Sequence, residues 1–255
     1  MTCALDGFSQ ALLDDYSRKL DPAAQDHLGR IRAASQRMAQ LIDDLLKLSR
    51  VTRSELHLEP VDISELAQSV VRELSQAEPN RKVAVTITPD LPAFGDARLL
   101  RILLANLLGN AWKFTARRPD AAIEFGEIRE SSSEIPPVPQ SPAPRPLTSA
   151  FYVRDNGAGF DMAYVNKLFT PFQRLHGAEE FHGSGIGLAT AQRIVLRHGG
   201  KIWAEGIPGK GATFYFTLAP DEIRGLSQEF PRAIEGAGNS GLSPGISPTQ
   251  STASP

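Results

Sequence analysis

Hydrophobic side chains in the first fifty residues recur at the spacing of two amphipathic helices. The first helix is predicted to end near Leu20, because Pro22 suits the first turn of a new helix and not a helix interior. In the second helix, apolar positions alternate between spacings of three and four residues, which is the pattern of a heptad seam. The two stripes consist of Leu5, Phe8, Leu12, Leu13 and Tyr16, and of Leu28, Ile31, Ser35, Met38, Ile42 and Leu45.

Two helices that share one seam cannot bury both of their apolar faces by themselves. Two copies of such a hairpin can do so by packing as a four-helix bundle, so we predict a homodimer formed through this hairpin. The alternative interpretation is that the hairpin packs against the rest of its own chain.

Helical and strand patterns alternate between Leu58 and Leu218. Together they predict an α+β sandwich with a mostly antiparallel sheet and helices on one face. The predicted helices are one capped by Asp62 or Ser64, one capped by Asp96, and one between Ile186 and Arg197. The predicted strands are Val83–Thr88, Ala121–Ile128, Ala150–Arg154, Lys201–Glu205 and Thr213–Leu218.

Two segments have the composition of loops. Six prolines fall between Pro136 and Pro146, and because proline cannot donate ladder hydrogen bonds we predict a disordered loop over 129–148. Gly, Ser, Pro and Thr dominate the end of the chain, which predicts a disordered tail over 221–255. The expected organisation is therefore a hairpin over 1–57, an α+β domain over 58–220, and this tail.

Composition excludes several classes of protein. Lys and Arg number 27 against 29 Asp and Glu, and this balance argues against a protein that binds nucleic acid through a basic face. The single Cys3 excludes an intrachain disulfide and a cysteine zinc cluster. The most apolar stretch, Leu99–Leu108, is too short to span a membrane, and the first residues do not resemble a secretory signal, so we expect a cytoplasmic location.

The segment Asn106–Thr115, NLLGNAWKFT, combines polar and apolar positions at helical spacing. Its spacing places Asn106, Asn110 and Lys113 on one helix face, with the leucines turned toward the core. Two carboxamides and an ammonium group suit a magnesium-bound polyphosphate. The alternative is a helix with an ordinary polar outer face.

The segment Asp155–Phe160, DNGAGF, comes directly after a predicted strand. The carboxylate of Asp155 can accept a hydrogen bond from an exocyclic amine, which adenine has at the relevant edge and guanine lacks. Gly157 and Gly159 would allow the backbone to approach a flat ligand closely. The alternative is a tight turn, which Asp-Asn-Gly favours.

A glycine-rich segment opens the last predicted helix and supplies backbone N–H groups for an anion: Gly183, Ser184, Gly185, Ile186, Gly187 and Leu188. Before it, Phe169–Arg174 leads into a polar stretch that suggests a lid over a nucleotide. His176 and His182 in that stretch are more typical of exposed side chains than of metal ligands. The segment Gly209–Phe214, which contains Thr213, predicts a turn into the last strand.

The ordered set NLLGNAWKFT, DNGAGF, FTPFQR, GSGIGLA and GKGATF resembles the ATP-binding domain of sensor histidine kinases, with the GHKL fold shared with gyrase and Hsp90. The resemblance covers roughly residues 58–218. The preceding GFSQALLDDY and RIRAASQRMAQLIDDLLKLSR are similar to the dimerisation and phosphotransfer hairpin of phytochrome-type kinases. The resemblance implies a two-component histidine kinase that uses ATP and Mg²⁺ and has a response regulator receiver domain as partner.

Site roles follow from this resemblance. Asn110 matches the Mg²⁺ ligand, Asn106 and Lys113 match catalytic polar groups near the phosphates, and Asp155 matches the adenine-reading acid. ATPases of this fold have a water-activating Glu where this chain has Asn106, so the site suits delivery of phosphate to another nucleophile. The implied ATP-binding set is Asn106, Asn110, Lys113, Asp155, Gly157, Gly159, Phe172, Gly183, Ser184, Gly185, Ile186, Gly187, Leu188 and Thr213.

The family's phosphoacceptor histidine lies in a block that would fall about five residues before Met1, by its offset in the family pattern. Neither His27 nor His57 sits in such a block. We therefore interpret the chain as the catalytic fragment of a kinase whose acceptor lies outside it. The alternatives are an acceptor-less ATP-binding regulatory module, and a kinase that phosphorylates an acceptor-bearing partner chain.

Overall fold

The computed structural model describes residues 2–53, 55–129, 149–173, 175, 181 and 183–218. The predicted tail over 221–255 and nearly all of the predicted loop over 129–148 lie outside these residues. Among the helices that the structure describes, none combines the length and hydropathy of a bilayer-spanning segment.

The N-terminal hairpin consists of α1, Thr2–Tyr16, and α2, Pro22–Arg53, with a short 3₁₀ turn at Ser17–Lys19 between them. The helix α1 ends at Tyr16, before the predicted end near Leu20, because the residues that follow it, Ser17–Lys19, form the 3₁₀ turn. The two helices pack through small side chains, since Ser9 and Ser35 are both buried. Beside this crossing, the Asp6 carboxylate accepts hydrogen bonds from Arg32 Nε at 3.2 Å and Gln36 Nε2 at 3.1 Å.

Most of the apolar stripe on the hairpin remains exposed in the single chain. The largest exposed members are Leu5, Phe8, Leu12, Tyr16, Ile31, Met38, Ile42, Leu45 and Leu46. Packing of α1 on α2 therefore buries one side of the pair and leaves the other side apolar, as the homodimer prediction requires.

The remaining elements, in chain order, form a helical layer and two sheets. They are β1 Glu59–Asp62, α3 Ile63–Ala77, β2 Ala84–Ile87, β3 Pro92–Gly95, α4 Ala97–Phe114, β4 Ala122–Arg129, β5 Ser149–Asp155, a 3₁₀ helix Met162–Lys167, α5 Gly187–Arg197, β6 Ile202–Ile207 and β7 Gly211–Phe216. The principal sheet has the order β2-β4-β5-β7-β6. Three of its pairings are antiparallel, and β2 pairs with β4 in parallel because the chain crosses over through α4 between them. The predicted α+β sandwich is confirmed, with a mixed sheet.

A second sheet of two strands, β1 and β3, was not predicted. Val61 pairs with Ala93, and the strands are only four residues long. Each strand contains a proline, Pro60 in β1 and Pro92 in β3, which weakens the strand signal in the sequence.

Aspartate side chains begin two of the helices. Asp62, and not Ser64, caps α3 by accepting from the backbone N–H groups of Ser64 and Glu65. Asp96 caps α4 in the same way, through Arg98 N at 3.1 Å and Leu99 N at 3.2 Å. These caps fix where each helix starts and hence which face of α4 meets the core.

The main core lies between the helices and one face of the principal sheet. The helix α4 contributes a row of leucines, and the sheet contributes aromatic and β-branched side chains. The fully buried members include Leu100, Leu103, Leu104, Leu107, Leu108, Phe125, Val153, Ile194 and Phe216.

The end of α2 joins this core. Val51 is 3% exposed and belongs to the main hydrophobic cluster. Arg197, at the end of α5, donates a hydrogen bond from Nη1 to the Val51 carbonyl oxygen. The last turn of the hairpin is therefore fixed to α5 by both packing and hydrogen bonding.

Candidate nucleotide-binding site

A cavity of about 530 Å³ lies between α4, the start of α5, and the ends of β5 and β7. Its wall is polar along α4 and at the glycine-rich segment before α5. Its deeper wall is apolar and includes Phe160, Leu168, Ile186 and Phe214. A volume of this size is typical of a pocket for a small molecule or cofactor.

The helix α4 presents the predicted polar face to this cavity. Asn106, Asn110 and Lys113 line it, while Leu107 and Leu108 are fully buried on the core side. The spacing of these residues therefore predicted the orientation of the helix correctly.

The two asparagines present amide oxygens toward the cavity in different ways. Asn106 Nδ2 donates to the Ile102 carbonyl at 2.8 Å, so its Oδ1 is turned toward the start of α5. A Cβ added at Gly187 would lie 2.6 Å from that Oδ1, so glycine permits this close approach. Within the described part of the chain, the side chain of Asn110 has no hydrogen-bond partner, so its oxygen is available to a ligand.

Asp155 lies at the other end of the cavity, where β5 ends. It is 6% exposed, and its Oδ1 accepts from Gly157 N at 2.8 Å. Burial raises the pKa of the Asp155 carboxyl to about 6, against the opposing effect of hydrogen bonds from the backbones of Gly157 and Ala212. At neutral pH the carboxylate is an acceptor in an apolar wall, which suits recognition of an amine.

Gly159 closes the turn after Asp155 in a conformation that other residues rarely adopt. Its φ is +63°, and an added Cβ would lie 2.0 Å from the Ile207 carbonyl oxygen. The turn therefore packs directly against the end of β6, and a side chain at this position would displace it.

The N-terminus of α5 supplies backbone N–H groups to the opposite wall. Gly183 to Leu188 all line the cavity, and no side chain among the described residues caps α5. The Nζ of Lys113 would lie 3.3 Å from a Cβ added at Gly183, so the ammonium group is beside this segment. An uncapped helix start next to an ammonium group is suited to phosphate oxygens.

Three predicted ligand residues do not line the cavity. Thr213 alternates along β7 with Ala212 and Phe214, which do line it, so its side chain points to the other face of the sheet. Phe172 is 57% exposed and donates from its backbone N to the Gly185 carbonyl at 3.0 Å. The backbone of Gly157 lies against the Phe114 carbonyl and supports the end of α4.

The structure also adds residues that the sequence analysis did not include. Gln40, Asp44 and Lys47 of α2 line the cavity, together with Arg101 of α4. Gln40, Asp44 and Lys47 lie on the side of α2 opposite the apolar seam. The heptad positions of these α2 residues could have indicated a second contact surface on the helix. No local pattern could have indicated that this surface faces the cavity.

The histidines with described side chains lie away from this cavity. His27 and His57 are exposed, and His198 is buried beneath the start of α4. There His198 Nε2 accepts from Asp96 N at 3.0 Å and Nδ1 lies 2.8 Å from the Ile194 carbonyl, while burial lowers the pKa of the imidazole. These hydrogen bonds assign His198 a structural role, and His176 and His182 lie outside the described residues.

The donor set fits a magnesium ion that is held mainly by phosphate and water. Within the described residues, no group of three or more His, Cys, Asp or Glu side chains could hold a metal. The amide oxygens of Asn106 and Asn110 are hard ligands of the kind that Mg²⁺ accepts, and Mg²⁺ retains several waters and binds substrate phosphates. This site therefore fits a metal that arrives with a nucleotide.

Two family profiles match the chain. The profile described as the His Kinase A (phospho-acceptor) domain matches residues 3–54. The profile described as the histidine kinase-, DNA gyrase B-, and HSP90-like ATPase matches residues 95–222, which is half of the chain.

Curated relatives and solved structures agree with these profiles. Cyanobacterial phytochrome B of Nostoc sp. is 35% identical over 83% of this chain and 26% of its own length. The adaptive-response sensory kinase SasA of Synechocystis sp. is 32% identical over 71% of this chain and 44% of its own length. The structure of full-length ShkA in complex with AMPPNP has a similar fold, with a TM-score of 0.54 and 23% identity over 86% of this chain and 44% of that chain.

The chain thus spans about a quarter of the phytochrome and less than half of the sensory kinase. On these grounds the chain belongs to the sensor histidine kinases and contains their phosphoacceptor-type hairpin and GHKL ATPase-type domain.

Proposed function

We propose that this chain binds Mg-ATP in the cavity beside α4 and directs the γ-phosphoryl group to a histidine imidazole. The main support for the proposal is that two facing walls of the cavity carry groups suited to a metal and to phosphate. Asn106, Asn110 and Lys113 of α4 face the uncapped start of α5 across the same space. Amide oxygens for a metal and N–H groups for phosphate are thus brought together from separate segments.

The two ends of the cavity suit the two ends of ATP. The Asp155 carboxylate would accept a hydrogen bond from the exocyclic amine of adenine, with Phe160 and Phe214 in the apolar wall nearby. Lys113 and the α5 backbone would hold phosphate oxygens, and Asn110 would ligate Mg²⁺ through Oδ1. When bound, the metal supplies charge neutralisation for the phosphates.

Asn106 occupies the place where a water-activating carboxylate would be needed for hydrolysis. Its amide cannot accept a proton, and its Nδ2 is held by the Ile102 carbonyl. The site therefore favours transfer to a nucleophile brought from elsewhere, with binding and orientation as the contribution of the protein. In two-component systems of this family the phosphoryl group then passes to an aspartate of a response regulator receiver domain.

The relatives support this proposal through their names, which include a sensory kinase. We further propose a homodimer through the exposed apolar side of the hairpin, action in the cytoplasm, and the domain division 1–57, 58–220 and 221–255. An acceptor histidine on a partner kinase chain would receive the phosphoryl group from ATP bound in this cavity.

A second candidate function is an acceptor-less ATP-binding module that dimerises as a regulator. The observation that favours it is the position of His27, His57 and His198, none of which lines the cavity. Incubation with labelled ATP separates the two functions. Transfer of label is measured with the chain alone and then with a second chain that carries the acceptor block. Transfer to the added chain supports the kinase, and binding without transfer in either case supports the regulator.

Asn110→Ala tests the nucleotide site directly. Loss of the amide oxygen should weaken Mg-ATP binding by at least about tenfold, or roughly 1.4 kcal/mol, in isothermal titration calorimetry. Gly109→Ala is the matched control, because its Cβ would meet open space on the same helix. Equal Mg-ATP affinities for the two variants would contradict the assignment of Asn110.

A further inference from the structure

The helix α2 presents a polar stripe to the proposed nucleotide cavity. The polar stripe consists of Gln40, Asp44 and Lys47, which line the cavity and recur at helical spacings of four and three residues. Val51 continues the same helix face one turn further on, and its side chain is buried in the main core. Burial of Val51 therefore fixes which face of α2 is turned toward the cavity.

The polar stripe lies near the start of α5, where phosphate groups are expected. The helix α2 packs against α5, and the hydrogen bond from Arg197 to the Val51 carbonyl oxygen binds the end of α5 to α2. Gly187, at the start of α5, lines the same cavity as the polar stripe. Because the N–H groups of a helix start attract phosphate oxygens, α2 is placed beside the phosphate end of the cavity.

The proposed adenine position lies at the opposite end. The Asp155 carboxylate accepts from Gly157 N, and Gly157 lies against the Phe114 carbonyl at the C-terminal end of α4. From there the cavity extends along α4 as far as Arg101, a distance of roughly 20 Å at the rise of an α-helix. A nucleotide with its base at Asp155 therefore directs its last phosphate group toward the polar stripe.

Two cations at this end of the cavity are held by ion pairs. Lys47 Nζ lies 3.5 Å from Asp44 Oδ1, and Arg101 pairs with Glu73 of α3. The Lys47 side chain is 64% exposed, and an exposed ion pair contributes little stability, so Lys47 can exchange Asp44 for a more highly charged anion. Gln40 Nε2 donates to the same Asp44 oxygen at 2.8 Å, so the carboxylate keeps a donor when the ammonium group moves.

We propose that Lys47 binds the terminal phosphate of ATP and thereby makes the site prefer ATP over ADP. This inference rests on the proposed Mg-ATP site and adds a residue of the hairpin to it. ADP ends one phosphate group earlier, so its charge lies further from the polar stripe and Lys47 stays with Asp44. The hairpin thus contributes to selection of the triphosphate, whereas Asn110 and Asp155 serve both nucleotides.

Lys47→Gln tests the proposal through calorimetric titration of the full chain with Mg-ATP and with Mg-ADP. The affinity for Mg-ATP should fall by about fivefold or more, because a charged donor to phosphate is lost. The affinity for Mg-ADP should change by less than about twofold, so the preference for ATP decreases. Lys47→Arg keeps the positive charge and should retain most of the preference.

Arg30→Gln is the control for charge. It removes one positive charge from the same helix at a position that does not line the cavity, where the Arg30 side chain is exposed and lies 3.9 Å from Asp26. This variant should keep the wild-type affinities for both nucleotides. An equal loss of ATP preference in Arg30→Gln and Lys47→Gln would overturn the proposal, because the effect would then come from total charge.

The ratio of the two affinities separates this inference from the proposed function. If Lys47→Gln keeps the wild-type ratio, whether both affinities are unchanged or both fall equally, the role of Lys47 is refuted and the Mg-ATP site stands. If the wild type binds neither nucleotide, the proposed function fails and this inference fails with it.

Discussion

At the scale of single residues, the buried carboxyl of Asp155 gives the molecule a specific pH dependence. Its pKa is raised from 3.8 to about 6 because burial disfavours the charged form. The folded state therefore binds this proton more tightly than the unfolded state, and protonation stabilises the fold. The stability that this proton contributes is present below about pH 4 and is lost as the pH rises through about 6.

We predict that the free energy of unfolding of the wild type, measured relative to Asp155→Asn, falls by roughly 2 kcal/mol between pH 4 and pH 7. Urea unfolding of both proteins without nucleotide, at half-unit pH intervals, measures this difference. A difference that stays constant or increases with pH would contradict the assignment. At pH 7.5 the same variant should bind ATP more weakly, because it loses the carboxylate acceptor.

At this scale, local sequence patterns singled out several residues that line the cavity. The segments that contain Asn106, Asp155 and Gly183 each have a local pattern with a chemical reason, and the fold brings them to one cavity. Thr213 is a predicted binding residue that does not line the cavity, because alternation along β7 turns it to the opposite face from Ala212 and Phe214. The contribution of Lys47 depends on tertiary packing of the hairpin and has no local signal.

At the scale of elements, the last turn of α4 is held by a side chain from the segment before β2. Arg81 Nη2 donates to the Trp112 carbonyl at 2.6 Å and to Thr115 Oγ1 at 2.9 Å. The guanidinium group also lies 5.0 Å from the centre of the Trp112 ring. This contact secures the turn of α4 that carries Lys113.

We predict that Arg81→Ala destabilises the protein by about 1–3 kcal/mol and weakens Mg-ATP binding by less than Asn110→Ala does. Arg81→Lys should recover only part of the lost stability and Mg-ATP affinity, because an ammonium group lacks the planar fork that reaches both acceptors. Lys82→Ala, at an exposed neighbouring position, is the control. Denaturant unfolding and calorimetry measure the two effects, and identical results for Arg81→Ala and Lys82→Ala would refute the role of Arg81.

Elements whose hydrophobic pattern continues over many residues, or whose first turn has a clear cap, were predictable. Short elements were not. The starts of α3 and α4 were anticipated from Asp62 and Asp96, whose side chains cap them. The strands β1 and β3 were missed, because four residues with a proline carry little periodicity. Their pairing depends on contacts between Val61 and Ala93, which are distant in sequence.

At the scale of the whole molecule, α2 has two functional sides. One side carries the exposed apolar seam, which includes Met38, Ile42 and Leu45. The other side contributes Asp44 and Lys47 to the cavity wall. A homodimer through the seam would therefore leave the cavity side of each α2 in contact with its own domain.

We predict that Ile42→Asp abolishes the homodimer, because it introduces a charge into the apolar seam at a position that is 50% exposed in the single chain. Gly29→Asp adds the same charge to α2 at a position where a side chain meets open space. Size-exclusion chromatography with light scattering should give the monomer mass for the first variant and the dimer mass for the second. A dimeric Ile42→Asp protein would exclude the seam as the interface.

The sequence predicted the order of the parts but not how the hairpin meets the domain. The alternatives of dimerisation and packing against the same chain were treated as exclusive, and the structure gives α2 one surface for each. Burial of Val51 could not be foreseen, since the hydrogen bond that its carbonyl oxygen accepts comes from Arg197, 146 residues away in sequence.

The helix α5 connects two regions that would otherwise be remote. It starts at Gly187, beside the Asn106 oxygen, and ends at Arg197, which grips the Val51 carbonyl, so it spans roughly 15 Å as a stiff rod. Because Arg197 ties the end of α5 to α2, a shift of α2 would also move α5 and the glycine-rich segment at its start, so we expect the position of the hairpin to influence the width of the cavity there.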